Sequence, residues 1–390
     1  MKHIFIVGSK GIPANYGGYE TFLEYLTKGK QSNEIKYHVA CKVTDKKKMM
    51  PQRFEHNNAD CFKVYVPNIG PAQAIYYDVA ALNQSIKYVK EHQIEKPIFY
   101  ILACRIGPFM NSIVRRVHAL GGVVYVNPDG HEWLRAKWSK PVRSYWKYSE
   151  GLMVKHADLL ICDSKNIEKY IQSSYKKYQP KTTFIAYGAD VKKSQLADDN
   201  PKLINWFNKF SIKANNYYLI VGRFVPENNY ETMIREFMAS NTKKDLVIIT
   251  NVERNHFYDE LKEKTHFEND PRIKFVGTVY DAELLAKIRE LAYGYLHGHS
   301  VGGTNPSLLE ALASTKLNLL YDVGFNREVG EDGALYWSKT KQSLSQLINS
   351  SDILTKEEIC LFGRKSDKRV IDNYSWERIV DAYETQFLNR

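Results

Sequence analysis

Residues 295–314, YLHGHSVGGTNPSLLEALAS, admit few folds. A short apolar run ends near His297. A polar, glycine-rich turn follows (His299, Ser300, Gly302, Gly303, Thr304, Asn305), and a helix begins with Pro306 in its first turn and Leu308, Leu309 and Leu312 on one face. Proline suits that position because the first helical N–H has no intrahelical partner. Glycines let backbone approach a ligand closely. Free N–H groups and the positive end of the helix dipole then favour phosphate. Gly303, Thr304 and Asn305 are the expected phosphate contacts. Glu310, about one turn inside the helix, is placed to accept hydrogen bonds from sugar hydroxyls. A lone Gly-Gly pair would be only a turn, but its union with Thr-Asn-Pro and a following glutamate favours a phosphate site.

The strand, loop, helix order recurs along the chain. Strands are expected at residues 4–7, 37–43, 61–66, 98–102, 123–126 and 183–186, with a further apolar run at 157–162. Helices are expected from 19 and at 72–90, 111–120 and 166–175. The order restarts at 217–221 and continues through strands at 246–250, 273–276, 294–296 and 317–321, with helices at 230–239, 258–264 and 282–290. Strands alternating with helices argue for parallel sheets with ligands at the carboxyl ends of the strands. The polar stretch at 191–201 marks a domain boundary. Residues 374–388 read as an amphipathic helix with Trp376, Ile379, Val380, Tyr383 and Phe387 on its apolar face. At 390 residues the chain can carry two full cores.

Charge is uneven. Residues 1–195 hold 30 Lys+Arg against 16 Asp+Glu, and the remainder 25 against 28. A basic first half beside a near-neutral second half points to an anionic partner of the first: membrane, nucleic acid or a phosphorylated substrate. No apolar run is long enough to span a bilayer, and Met1-Lys2-His3 leads directly into the strand IFIVG, so no signal peptide is expected. The five cysteines form no CxxC pair and read as buried thiols in a reducing cytoplasm.

Four further stretches carry chemistry. In GSKGIPANYGGYETF, Gly17 and Gly18 read either as a loop reaching towards a ligand or as a plain connection; the spacing is not GxGxxG. In NPDGHEWLRAKWSKPVRSYWKYSEG, Asp129 and His131 follow a strand end, where they are candidates for acceptor binding or proton transfer. Trp133, Trp138, Tyr145, Trp146 and Tyr148 then interleave with Arg135, Lys137, Lys140, Arg143 and Lys147. That mixture suits an anionic membrane surface, ahead of an ordinary helix with half-buried aromatics and of single-stranded nucleic acid. Asp163, after the run ADLLIC, caps either the strand or the next helix, with a role in the crevice open to it. Arg223, just past the strand at 217–221, is placed to clamp a diphosphate.

Taken in order, GSKGIPANYGGYETF, NPDGHEWLRAKWS, ICDS, GRFVPENN and GGTNPSLLEA resemble the family 4 retaining glycosyltransferases. More narrowly they resemble the bacterial rhamnosyltransferase branch (β-1,4-rhamnosyltransferase-like) of capsule and cell-wall polysaccharide synthesis. The resemblance implies the GT-B fold: α/β, two doubly wound Rossmann-like domains facing a central crevice. It implies an acceptor-binding domain over residues 1–190, a helix at 372–390 crossing back to it, and a nucleotide-sugar-binding domain over residues 200–371. The donor would be a nucleotide sugar, dTDP-β-L-rhamnose in the narrower branch. The acceptor would be an undecaprenyl-diphosphate-linked saccharide at the inner membrane face, reached by a cytoplasmic, peripheral protein.

This chain departs from the wider family at two positions. Gly302 stands where the first of two glutamates is usual, and Asn228 where a lysine usually follows the clamp arginine. The expected mechanism is transfer with retention. Arg223 and the N–H groups of Gly303, Thr304 and Asn305 would stabilise the leaving phosphate, Glu310 a ribose hydroxyl, and Gly17 and Gly18 would approach the diphosphate. Asp129, His131 and Asp163 would orient acceptor or sugar hydroxyls. No DxD motif is present, so neither a metal nor a separate cofactor is expected, and nucleic acid is not an expected partner. A non-catalytic binding subunit and a nucleotide-sugar epimerase are the alternatives.

Overall fold

The computed structural model describes every residue except 15, 16, 136, 137, 190, 192, 253–255 and 302, and it leaves aside the side chain of Pro71. The expectations on Lys137 and Gly302 lie outside the described residues. Two compact units emerge. The first holds Met1–Gly188 and Trp376–Arg390, the second Ala189–Ser375.

The first unit is built on an eight-stranded sheet of β1 (Lys2–Val7), β2 (Ile35–Val43), β3 (Arg53–His56), β4 (Ala59–Tyr65), β5 (Ile98–Leu102), β6 (Val123–Asn127), β7 (Leu159–Cys162) and β8 (Thr182–Phe184). Their order is β3-β4-β2-β1-β5-β6-β7-β8, parallel throughout except for β3, which runs antiparallel to β4. The central strands are apolar at successive positions: all five residues of β5, IFYIL, are buried. Strands covered on both faces read in this way. Five helices connect them: α1 (Gly18–Lys28), α2 (Gln73–Glu91), α3 (Gly107–His118), α4 (Lys140–His156) and α5 (Lys165–Ser174).

The second unit carries a six-stranded, wholly parallel sheet. Its strands are β9 (Tyr217–Val221), β10 (Asp245–Ile249), β11 (Ile273–Gly277), β12 (Gly294–His297), β13 (Asn318–Tyr321) and β14 (Leu335–Trp337), in the order β11-β10-β9-β12-β13-β14. Its helices are α6 (Pro201–Phe210), α7 (Tyr230–Met238), α8 (His256–Thr265), α9 (Ala282–Glu290), α10 (Pro306–Ser314), α11 (Gly324–Gly330), α12 (Ser343–Ser351) and α13 (Lys356–Tyr374). Buried apolar clusters lie on both faces of this sheet.

The chain returns to the first unit through α14 (Trp376–Leu388). The expected helix at 374–388 is broken at Ser375, whose extended backbone (φ −62°, ψ 142°) bridges Ala189. Tyr374 is instead the last residue of α13 and is buried. From Trp376 on the apolar stripe behaves as expected. Trp376 stacks on Tyr25 at 4.5 Å, and Tyr383 and Phe387 pack on Tyr100. Gly188 is required there, since a Cβ would come within 2.4 Å of the Trp376 ring.

Candidate functional sites in the two units

In the second unit the segment after β12 is laced to the segment after β9. Gly298 touches the Asn228 carbonyl so closely that a Cβ would sit 2.2 Å from its oxygen. Asn229 donates from Nδ2 to the Gly298 carbonyl (2.7 Å), and Ser300 donates from its backbone N–H (3.1 Å) and its hydroxyl (2.7 Å) to the Glu227 carbonyl. Asn228 is buried and its amide is engaged at both ends: Nδ2 donates to the Arg223 carbonyl (2.7 Å), and Oδ1 lies 2.6 Å from His299 Nδ1. Where a lysine would bring charge, this chain has a side chain that ties the two loops together.

Arg223 is exposed, and its guanidinium makes no hydrogen bond or ion pair among the described residues. Phe224 beside it is buried against Tyr230 (4.9 Å) and Phe257 (4.8 Å), which anchors the backbone that carries the arginine. Asn305 caps α10: its Oδ1 accepts from the N–H groups of Ser307 (2.9 Å) and Leu308 (3.3 Å). Two orphan donors of the helix start are thus satisfied by the cap. The backbone N–H groups of Gly303 and Asn305 donate to nothing among the described residues, while Gly303 and Thr304 are buried.

Glu310 stands on α10 with its Oε2 2.6 Å from Nη2 of Arg289, which is buried on α9. Arg289 had no signal in the sequence. A basic residue in the last turn of a helix is ordinarily a solvated partner of the helix dipole. Only the packing of α9 against α10 turns it inward. His297, at the end of β12, is also buried, and burial holds its imidazole neutral by pushing its pKa well below the usual value.

In the first unit the loop after β1 is held by carboxylates of α1. Glu20 accepts from the Lys10 N–H (2.6 Å) and Glu24 from the Ala14 N–H (2.9 Å). Gly17 has φ 134°, and a Cβ there would collide with the Glu20 carboxylate. Its glycine thus serves the loop's own geometry. Gly18 is exposed with open space around it, so backbone there is accessible to a ligand.

Arg105, another residue the sequence did not single out, reaches the carboxyl end of β1. Its Nη1 donates to the Gly8 carbonyl (2.7 Å) and to Asp78 Oδ2 (3.2 Å). Burial raises the Asp78 pKa to about 6 against the pull of Arg105. The loop after β6 places both Asp129 (φ 59°) and His131 (φ 50°) in the left-handed region, a strained choice for non-glycine residues. Asn127 Oδ1 accepts from the Asp129 N–H (2.9 Å), and Asp129 lies 3.8 Å from Arg135, which also pairs with Glu132. The His131 ring rests on Tyr170 at 4.1 Å, and burial lowers its pKa. Asp163 is buried at the end of β7. It is Ser164 that caps α5, its hydroxyl accepting from the Asn166 N–H (3.1 Å), so the helix-cap alternative for Asp163 is corrected. The charges of Asp129 and Asp163 both reach Tyr19, whose buried hydroxyl has no hydrogen-bond partner among the described residues. Strands β1, β5, β6 and β7 thus bring Tyr19, Arg105, Asp129 and Asp163 to one end of the sheet.

The aromatic and basic stretch becomes α4 and the turn before it. Trp138 donates to Glu132 (2.9 Å) and lies 6.0 Å from Trp146, and Tyr145 donates to the Arg105 carbonyl (2.8 Å). Tyr148 remains outside, 61% exposed. Among the described residues no helix is long and apolar enough to cross a membrane.

Residues 1–190 match a family described as a domain of unknown function, DUF1972. No curated protein sequence matches the chain. Solved structures match over its whole length. Sucrose-phosphate synthase from Thermosynechococcus elongatus is 17% identical with both chains fully covered and a TM-score of 0.76. Anabaena Alr3699/HepE in complex with UDP is 14% identical, again with full coverage of both, at 0.71. A glycosyltransferase from Rickettsia africae is 14% identical over 99% of this chain and 97% of its own, at 0.73. Two Rossmann-like α/β units with these neighbours define the class: the chain has the GT-B fold of glycosyltransferases.

Proposed function

We propose that the protein is a retaining glycosyltransferase that moves a sugar from a nucleotide sugar to a lipid-diphosphate-linked saccharide. The observation that carries this is in the second unit: the exposed Arg223 guanidinium follows β9, the segment laced to the loop that opens α10. A diphosphate held there meets one full cation, the N–H groups of Gly303 and Asn305, and the helix dipole. All of these stabilise charge that builds on a leaving phosphate. Glu310, fixed by Arg289, holds a ribose hydroxyl. Asp129, His131 and Asp163 bind the acceptor in the first unit. The acceptor hydroxyl attacks from the face the diphosphate leaves, and a phosphate oxygen takes its proton.

The resemblance to rhamnosyltransferases supports dTDP-β-L-rhamnose as donor and surface polysaccharide synthesis as the setting. The basic first half supports a peripheral position at the inner face of the membrane. A UDP-sugar is the second reading, favoured by the complexes of HepE with UDP and with UDP-glucose. Thermal stabilisation against nucleotides and nucleotide sugars tests the proposal. Selective stabilisation by dTDP and dTDP-rhamnose is expected, a preference for UDP compounds moves the donor, and no response to any of them contradicts it.

A further inference from the structure

Among the described residues of the second unit, Arg289 is the most deeply buried of the paired cations. Its side chain is 7% exposed, against 39% for its partner Glu310. Three contacts hold it. Its carbonyl accepts from the hydroxyl of Thr315, just past the end of α10 (2.8 Å). Its Nη2 lies 3.4 Å from Ser307 Oγ and 2.6 Å from Glu310 Oε2, both on α10. Ser307 and Tyr295 in turn donate from their hydroxyls (3.1 and 3.0 Å) to the carbonyl of Val221, the last residue of β9. The pair thus stands at the strand end that Arg223 follows two residues later.

Burial limits what the pair can do. Arg289 Nε has no hydrogen-bond partner, and Glu310 is the one carboxylate within ion-pair distance of the guanidinium among the described residues. A buried cation that lost this carboxylate would be left uncompensated, which is strongly unfavourable. Oε2 therefore stays with Arg289 when a ligand arrives. Glu310 Oε1 makes no hydrogen bond or ion pair among the described residues, and it is the oxygen left for a ligand. A carboxylate with both oxygens open takes the two neighbouring hydroxyls of a ribose, one on each oxygen. With one oxygen withheld it takes a single hydroxyl, and a 2′-deoxyribose also has one to offer.

We propose that Arg289 sets the pentose specificity of the donor site. By occupying Oε2 it makes Glu310 a reader of one hydroxyl, so the site accepts 2′-deoxynucleoside diphosphates as readily as ribonucleoside diphosphates and leaves the choice of nucleotide to the base. This rests on the reading of Glu310 as the pentose contact of a nucleotide-sugar donor. Arg289 is a positioning residue, acting on the ligand through Glu310.

The test is isothermal titration of the full chain with two pairs of nucleotides that differ only at the 2′ position: UDP with 2′-deoxy-UDP, and 5-methyl-UDP with dTDP. The variant is Arg289→Met, which fills a similar volume without charge and opens both Glu310 oxygens. In the intact protein the members of a pair are expected to bind within about threefold of each other. In Arg289→Met the ribose member should gain about tenfold over the deoxyribose member, because a site that hydrogen-bonds a hydroxyl discriminates against the analogue lacking it. Displaced helices would weaken both members alike, so the ratio separates this role from a structural one. A larger ribose preference in the intact protein overturns the proposal, and it does so whether or not the variant folds. An unchanged ratio in Arg289→Met overturns it too. Binding of none of the four by the intact protein removes the donor reading and this inference with it, whereas binding with a strong ribose preference removes the inference alone.

Discussion

The two units reach their candidate sites by different means. In the second unit, short contacts and asparagine side chains fix the backbone: Gly298 lies under the Asn228 carbonyl, Asn229 donates to the Gly298 carbonyl, and Asn305 caps the first turn of α10. The side chain left facing outward, Arg223, is free to meet charge. In the first unit, side chains from separate elements converge: the buried carboxylates Asp78 and Asp163 beside the half-buried Arg105 and His131. The first construction fixes two loops against each other and leaves the Arg223 guanidinium outside. The second makes a polar cluster whose charge state depends on pH and on what covers it.

The largest effect that separates the two is expected at Arg223. Arg223→Ala should lower turnover by roughly a hundredfold or more, the scale of a lost transition-state charge contact. It should leave the melting temperature unchanged, since the side chain holds nothing in the fold. Steady-state kinetics beside calorimetry checks both halves. Gly298→Ala should do the reverse. Its Cβ must displace the Asn228 carbonyl, at a cost of about 1–3 kcal/mol, and nucleotide binding should fall with the misplaced loops. Denaturant unfolding with a nucleotide titration reads this directly.

Acid sensitivity sharpens the same contrast. Asp78 has a folded pKa of about 6, above its unfolded value of 3.8, so the folded state binds the proton more tightly. Its contribution is full below the unfolded pKa and is lost as pH rises through about 6. Asp78→Asn should therefore flatten that part of the stability profile between about pH 4 and pH 6. The smallest effect is expected at His3. Burial, with His38 beside it at 2.9 Å, lowers its pKa from 6.5 to about 4. The unfolded chain then binds more protons between those values, so stability rises with pH across that window. His3→Asn should reduce that rise, as measured by urea unfolding at several pH values.

The comparison also explains what was legible in the sequence. Local grammar is written in neighbouring residues, so the strand, loop and helix around His297 to Ser314 follow from Gly, Asn and Pro at fixed offsets. The alternation of strands and helices carries the parallel sheets for the same reason, and the resemblance of the motifs carries the GT-B class. What local grammar cannot carry is convergence across the sheet. Arg105 follows an apolar strand without any motif, and Arg289 looks like a solvated helix-end cation; each acquires its meaning from a partner far away in sequence. Strand β3 has no continuous apolar run, so its residues do not mark it; its pairing with β4 is an edge feature. The aromatic stretch at 133–148 reads in sequence as a membrane surface ahead of an ordinary helix with half-buried aromatics. Most of its rings are half-buried once α4 forms, because 3.6-residue periodicity sends them to different sides.

The central claim is that the second unit binds a nucleotide diphosphate through Arg223 and the loop before α10. Isothermal titration of dTDP-rhamnose into the intact protein and into Arg223→Ala tests it most directly. The account predicts measurable binding by the intact protein, weakened at least about tenfold by the substitution. Equal affinity in the two proteins would contradict it.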